Sequence, residues 1–320
     1  MFTRKLGRSD VDVSAVGLGC WAIGGPFTAE DGNPVGWGRV DDNESIRAIG
    51  RALDLGITFF DTADVYGCGH SERILGQALG KRRSDVVIAT KFGRVFDEAK
   101  RHILGNDASA EHIREACEAS LNRLNTDVID LYQLHLANCE LDEAAVVRDV
   151  LEDLVVEGKI CWYGWSTDDP ERARLFAEGP HCVAIQQRFN ILDGDEETLG
   201  ICERFNLASL NRGPLAQGLL TGKFTSDSKL PDNDVRHRWD FKQGRQAEQL
   251  KQLDAIRDVL TSDGRTLAQG ALAWLWARSD KTIPIPGFKT VKQVEDNAGA
   301  AQFGPRSQDQ MSQIDELLGR

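Results

Sequence analysis

The chain has no apolar run approaching the roughly 18 residues that a bilayer-spanning helix needs, which excludes such a helix. It is short of positive charge. Its 38 Lys and Arg face 50 Asp and Glu, for a net charge of -12. A chain this acidic repels nucleic-acid phosphates and anionic membrane surfaces, so neither is expected as a partner. The seven cysteines are odd in number and scattered, and no two have C-x-x-C spacing. They read as reduced thiols, and no metal site is expected. Met1-Phe2-Thr3-Arg4-Lys5-Leu6-Gly7 lacks the apolar stretch of a signal peptide, so a cytoplasmic location is expected. Linkers, low-complexity tracts and short internal repeats are also missing. What is present is 41% hydrophobic and 28% charged residues over 320 positions, enough for a sizeable core and not the composition of a disordered chain.

Strand-like and helix-like segments alternate along the chain. After a small hairpin (residues 2–4 with 11–13), eight strands are expected near 15–19, 58–61, 86–90, 130–135, 160–166, 183–187, 207–212 and 282–285. Most are short and apolar on both faces, as strands are when helices cover a parallel sheet. Between them run helical stripes: Ile46, Ile49 and Leu53, with Asp41 and Glu44 placed as a capping pair; Leu75, Ala78 and Leu79; Ile113, Ala116, Cys117, Ser120, Leu121 and Leu124. Val146, Val147, Val150, Leu151, Leu154 and Val155 form another stripe, ended by Gly158. Further helices are expected near 170–178, 198–205, 267–278 and 291–300. The pattern predicts an α/β chain of one domain over 1–320, a (β/α)8 TIM barrel with an N-terminal β-hairpin and two extra helices near 245–260 and 308–318. The long irregular stretches 22–40, 92–108 and 215–244 follow strands one, three and seven and should shape the mouth.

Four polar residues mark strand ends: Asp61, with Tyr66 just beyond it, Lys91 and His135. In a parallel barrel the C-terminal strand ends converge on one mouth, where active sites are built. A lysine beside a tyrosine favours the phenolate and lowers its pKa, and Asp61 can balance a buried lysine. Such a tyrosine can give a proton to a developing alkoxide, while a histidine orients the carbonyl oxygen. This set fits carbonyl reduction, and because no side chain supplies hydride, a nicotinamide cofactor is implied.

The chain resembles the aldo-keto reductases along nearly its whole length. The resemblance is carried by Gly17-Leu18-Gly19-Cys20-Trp21, Phe60-Asp61-Thr62-Ala63-Asp64-Val65-Tyr66-Gly67, Ser71-Glu72-Arg73-Ile74-Leu75-Gly76, Ala89-Thr90-Lys91, Asp130-Leu131-Tyr132-Gln133-Leu134-His135, Glu157-Gly158-Lys159, Gly164-Trp165-Ser166 and the run Gly213 to Lys223, in order and at matching intervals. It implies a barrel that binds NADP(H), with Asp61, Tyr66, Lys91 and His135 as the catalytic tetrad, Tyr66 the general acid and a small carbonyl or alcohol as substrate. It also implies that Ser166 and Gln186, with Thr167 where asparagine is common, hold the nicotinamide carboxamide. Arg212 stands where the family often has an aromatic ring against the nicotinamide. Gly213, Pro214, Leu215, Gln217, Gly218 and Lys223 match the loop over the pyrophosphate. Gly287, Lys289, Gln293, Asp296 and Asn297 match the adenosine end, with Lys289 meeting the 2′-phosphate. Trp21 is expected at the pocket. Asn138, Phe189 and Gln293 depart from the commonest family residues.

Competing patterns are weaker. Gly17-Leu18-Gly19-Cys20-Trp21-Ala22 mimics a dinucleotide fingerprint, but Gly24, Gly25 and Pro26 oppose the immediate helix it requires, so its glycines read as close backbone approach. Gly218 to Lys223 lacks the spacing of a phosphate-binding P-loop. Cys20, Cys68 and Cys139 read as inert buried thiols rather than as a redox sensor. The reading of function is NADP(H)-dependent reduction of an aldehyde or ketone. The alternatives are a cofactor-sensing binding subunit and a dehydrogenase that works mainly by oxidising a sugar or alcohol.

Overall fold

The computed structural model describes residues 1–320. A hairpin of β1 (Thr3–Lys5) and β2 (Asp12–Ser14) comes first, followed by β3 (Leu18–Gly19), β4 (Phe59–Asp61) and β5 (Val87–Phe92). Next come β6 (Arg94–Asp97), β7 (His102–Asn106), β8 (Ile129–Leu134), β9 (Ile160–Ser166) and β10 (Cys182–Asn190). The last strands are β11 (Asp193–Gly194), β12 (Ala208–Arg212) and β13 (Thr282–Pro284). The main sheet runs β13-β12-β10-β9-β8-β5-β4-β3, with every neighbouring pair in that path parallel. It closes on itself where Gly17 N donates to Pro284 O at 2.9 Å and Gly19 N to Pro286 O at 3.0 Å. This is the expected (β/α)8 barrel.

The helices are α1 (Asp42–Asp54), α2 (His70–Leu79), α3 (Ala110–Leu124), α4 (Leu141–Val156), α5 (Pro170–Ala177), α6 (Glu196–Arg204), α7 (Gly244–Thr261), α8 (Leu267–Arg278), α9 (Val291–Gly299) and α10 (Gln308–Leu318). Eight alternate with the barrel strands. The two expected additions, α7 and α10, pack on each other. The barrel has two apolar layers. A large core lies between strands and helices, and α3 buries Ile113, Cys117, Leu121 and Leu124 in it. A smaller cluster fills the barrel interior with Phe59, Val87, Leu131, Val183, Ala208 and Ile283, and the hairpin plugs its N-terminal end with Leu6 and Val13. Side chains are thereby excluded from solvent on both faces of each strand, which is why the strands read as apolar runs.

Three expectations need correction. In α1, Asp41 accepts from Asn43 N and Glu44 N, but Glu44 does not complete the box; its Oε1 accepts from Val291 N at 2.9 Å and so joins the start of α9 to α1. In α4, Val146 is exposed, because helical periodicity turns it outward while Val147, Val150, Leu151 and Leu154 go in. The stretch 92–108 is not irregular. It forms the antiparallel pair β6–β7, which stands over the mouth.

Loop 22–40 lies across that mouth and is tied on both sides. Thr28 N donates to Arg101 O at 3.0 Å and Ile103 N to Thr28 O at 2.9 Å, beside β7. On the far side Val235 N donates to Gly36 O at 2.9 Å, next to an antiparallel bridge between Trp37 and Asp234.

Behind the mouth, Glu72 is fully buried. It accepts from Arg123 Nε at 2.6 Å and from the Thr90 hydroxyl at 2.5 Å. Arg123 is the only cation paired with it. Arg123→Ala is therefore expected to cost about 3–5 kcal/mol in urea unfolding, because it strands a buried charge. A loss under about 1 kcal/mol would mean that solvent reaches Glu72.

Candidate active site

Asp61 ends β4, Lys91 lies near the end of β5, and His135 follows β8 directly. Tyr66 sits on the turn after β4. Its place depends on contact between two glycines: a Cβ at Gly24 would meet Tyr66 C at 2.7 Å, and one at Gly67 (φ +62°) would meet Gly24 O at 2.0 Å. Only glycine allows loop 22–40 to press the tyrosine turn inward.

The four expected residues come together. Lys91 Nζ donates to Asp61 Oδ1 at 2.6 Å, to Thr62 O at 2.6 Å and to Tyr66 Oη at 3.2 Å. The Lys91 side chain is 0% exposed and that of Asp61 3%, so this is a buried pair. The ammonium also lies 4.8 Å from the Tyr66 ring centroid. Tyr66 is stacked by Trp21 (centroids 5.8 Å apart, planes at 19°) and meets His135 edge-on at 5.7 Å.

Burial opposes the charge on Lys91, but Asp61 and the Tyr66 oxygen more than offset it, and its pKa lies above the ordinary lysine value. Burial likewise pushes the Tyr66 phenol above its ordinary value; Lys91 and Arg212 pull it down without reversing the shift. This corrects the expectation of a lowered tyrosine: desolvation outweighs the lysine, and the resting group is a neutral phenol. His135 is held well below the usual imidazole range by burial and then by Lys91, Arg94 and Arg212, so it is uncharged at neutral pH. Its Nδ1 is enclosed without a partner.

The Asp61 carboxylate has two further donors. Gln186 Nε2 reaches Oδ2 at 2.7 Å and Gln133 Nε2 reaches it at 3.2 Å. Gln133 escaped the sequence reading. A buried polar residue on β8 two positions before His135, which directly follows that strand, faces the same side, and that period was the available signal.

A cavity of about 860 Å³ opens above these groups. Trp21, Asp61, Ser166, Gln186, Arg212, Gly213, Pro214, Leu215, Gln217, Gly218, Lys223, Gly287, Lys289, Gln293, Asp296 and Asn297 all line it, as do Tyr66 and His135. Thr167 does not. It is fully buried, donates to Ala137 O at 3.0 Å and accepts from Asp169 N at 3.2 Å, so the expected carboxamide contact is not supported. Phe189 also lies away from the cavity, packed on Trp274.

The far end of the cavity is shaped for phosphate. Gln217 (φ 54°) and Gly218 (φ 94°) turn the backbone left-handed there, and Lys223 lies against Gly218. Arg236, another residue the sequence reading missed, donates to Gln217 O at 2.8 Å, pairs with Asp234 at 2.7 Å and lies 4.5 Å from the Trp37 ring centroid. Burial lowers the pKa of both Lys223 and Lys289, and Arg236 lowers both further. The Lys289 ammonium is partly engaged: it donates to Trp37 O and, at 3.2 Å, to Arg39 O. An ammonium has three donors, so one remains for an anion. Gln293 Oε1 is taken by Lys289 N at 2.7 Å, and Asp296 accepts from the Thr266 hydroxyl at 2.8 Å. Asn297 Nδ2 is buried with no partner, a donor left for a bound group. Two lysines without a carboxylate, a left-handed loop and an orphan amide together fit a phosphate-bearing dinucleotide.

The aldo/keto reductase family model matches residues 15–319. The uncharacterized oxidoreductase YqkF of Bacillus subtilis is 32% identical over 94% of this chain and 91% of its own length. The glycerol dehydrogenase AKR11B4 of Gluconobacter oxydans superposes with a TM-score of 0.85 at 31% identity, covering 99% of this chain and 95% of its own. An aldo-keto reductase of Klebsiella pneumoniae solved in complex with NADPH gives 0.73 at 27% identity, with 99% and 95% covered. The chain belongs to the aldo/keto reductase family, a family of oxidoreductases.

The seven thiols are free, and six are buried. Burial pushes Cys68 and Cys139, near the mouth, up to about 12, and Cys20 is also raised by burial. Thiolate is the reactive form, so Ellman's reagent should titrate no more than the half-buried Cys161 in native protein at neutral pH. All seven should react in denaturant. Rapid native labelling of Cys68 or Cys139 would reopen a redox role for the mouth.

Proposed function

We propose that the protein is an NADP(H)-dependent carbonyl reductase that reduces an aldehyde or ketone, with Tyr66 as the proton donor. The observation that carries this reading is the Lys91 ammonium, bonded at once to the Asp61 carboxylate and the Tyr66 hydroxyl beneath the cavity. The similar structures that hold NADP or NADPH support the cofactor assignment.

NADPH, when bound, supplies the hydride. The chain's own groups handle the oxygen. Tyr66 Oη gives its proton to the oxygen on which charge develops, and Lys91 stabilises the phenolate left behind. Asp61 keeps Lys91 charged, and Gln133 and Gln186 hold Asp61 in place. The neutral His135 orients the carbonyl by hydrogen bonding and adds no charge. Ser166 and Gln186 would hold the nicotinamide, and Lys223, Lys289, Asn297 and the backbone around Gly218 would hold the phosphate and adenosine parts, a reading supported by their all lining the cavity.

Alcohol oxidation by the same residues in reverse is the second reading, supported by the likeness to a glycerol dehydrogenase. It needs Tyr66 to start as phenolate, which a raised pKa disfavours at neutral pH.

Tyr66→Phe is expected to cut kcat for an aromatic aldehyde by at least about 100-fold, the usual worth of an acid catalyst, while NADPH affinity from fluorescence titration stays near wild type. Turnover at the wild-type rate would remove Tyr66 as the acid.

The pH profile has a definite sign. Tyr66 stays protonated up to and beyond about 10 and His135 stays neutral above about 6.5, so kcat/KM for reduction should be flat from about pH 6.5 to 9 and fall only above about 10. Oxidation should instead climb over the alkaline range. A step in the reduction profile near neutrality would contradict this assignment.

Lys289→Glu should weaken NADPH by about tenfold or more and NADH far less, as loss of a charge-assisted phosphate contact implies. Equal losses would exclude a 2′-phosphate contact.

A further inference from the structure

The cations lining the cavity fall into two groups. Arg188 and Arg245 share Asp193 at 3.5 and 2.5 Å, Arg212 pairs with Asp168, and Arg236 pairs with Asp234 at 2.7 Å. Lys223, Lys289 and Arg94 line the same cavity and have no carboxylate within ion-pair distance. The first two stand at the end shaped for phosphate. Arg94 does not. It lies three residues past Lys91, at the start of β6, and the cavity it lines includes Tyr66 and His135.

Arg94 is held but not neutralised. Its Nη1 donates to Asn106 Oδ1 at 2.6 Å, from the residue opposite it in the β6–β7 pair. A neutral amide fixes the guanidinium without cancelling its charge, and the rest of the fork remains free. The lining carboxylates without a cation are Glu30, exposed on loop 22–40, and Asp296, bonded to Thr266 at the other end. The wall beside Tyr66 is apolar: Phe27, Val65 and Ile103 form a small buried cluster on which Trp21 and Tyr66 pack.

An unneutralised planar fork that lines the same cavity as a proton donor and an apolar wall matches a substrate with three parts: the reacting carbonyl, an apolar body and an anion. Guanidinium pairs with carboxylate through two parallel hydrogen bonds. We propose that Arg94 recognises a carboxylate on the substrate, so that this site reduces carbonyl compounds carrying a carboxylate beyond a short apolar or aromatic segment. The proposal rests on the carbonyl-reductase reading and narrows it to a substrate class.

The test compares 4-formylbenzoate with its methyl ester, which share the ring and the reacting carbonyl and differ in charge. With NADPH, kcat/KM is expected to be about tenfold or more higher for the acid, mainly through KM, and the ratio to shrink as ionic strength rises from about 20 to 500 mM. Arg94→Gln should bring the ratio close to one, and Arg94→Lys should recover part of it. A wild type that prefers the ester, or a variant that loses both substrates equally, overturns the proposal; the equal loss would make Arg94 a positioning residue acting through the hairpin or His135.

Binding of benzoate against benzamide to the protein–NADP complex, followed by tryptophan fluorescence, reads the preference without turnover. Benzoate preference that Arg94→Gln abolishes, in a protein that reduces neither aldehyde, supports the anion site and refutes the reductase. Reduction of the ester with no benzoate preference refutes the anion site and leaves the reductase standing.

Discussion

One carboxylate organises this molecule. Asp61 on β4 accepts from Lys91 on β5, Gln133 on β8 and Gln186 on β10. Four strands are thus tied to one side chain inside the barrel, above the apolar plug of Leu6, Val13 and their neighbours. A lysine that is 0% exposed keeps its charge only beside a partner, and leaving either partner alone there is costly. The register of the strands and the charge state of the site are therefore one constraint. A strand shifted by one residue would turn its polar group outward and leave the others unpaired.

The cavity reverses the charge of the chain locally. The chain is acidic overall, at -12, yet its cavity holds cations left without acids. Around Tyr66 burial, helped by Lys91, Arg94 and Arg212, keeps His135 neutral, and burial keeps the phenol protonated. At the far end Lys223, Lys289 and Arg236 crowd one another beside the single carboxylate Asp234. Like charges gathered in a concave, partly dry place are unfavourable alone and favourable with an anion present. The fold supplies the energy to hold them there.

The barrel was legible in the sequence because burial on both faces leaves a strong mark: most of the eight strands appear as short apolar runs, and all eight lie near their expected places. The tetrad was legible because titratable residues at the ends of such runs have few packing reasons to be there. What stayed hidden depends on contacts distant in sequence. The β6–β7 pair has mixed, half-exposed faces, so no clear alternation marks it. Arg236 takes its meaning from Trp37 and Asp234, the first of which is nearly two hundred residues away. Glu44 looked like a local cap and instead bonds Val291. Lys91 was expected to lower the tyrosine pKa, and its pull is real, but depth of burial cannot be read from neighbours in sequence.

Loop 22–40 is stitched to β7 through Thr28 and to loop 215–244 through Gly36 and Trp37. The three segments that build the mouth are therefore not separate modules. Exchanging one alone for the matching segment of a relative breaks backbone pairings on which the others rely. The tyrosine turn, seated by the contact between Gly24 and Gly67, would shift with it. Redesign of specificity in this barrel has to treat the three loops as one inherited unit, in which a change of substrate contact at one side is felt at the cofactor side.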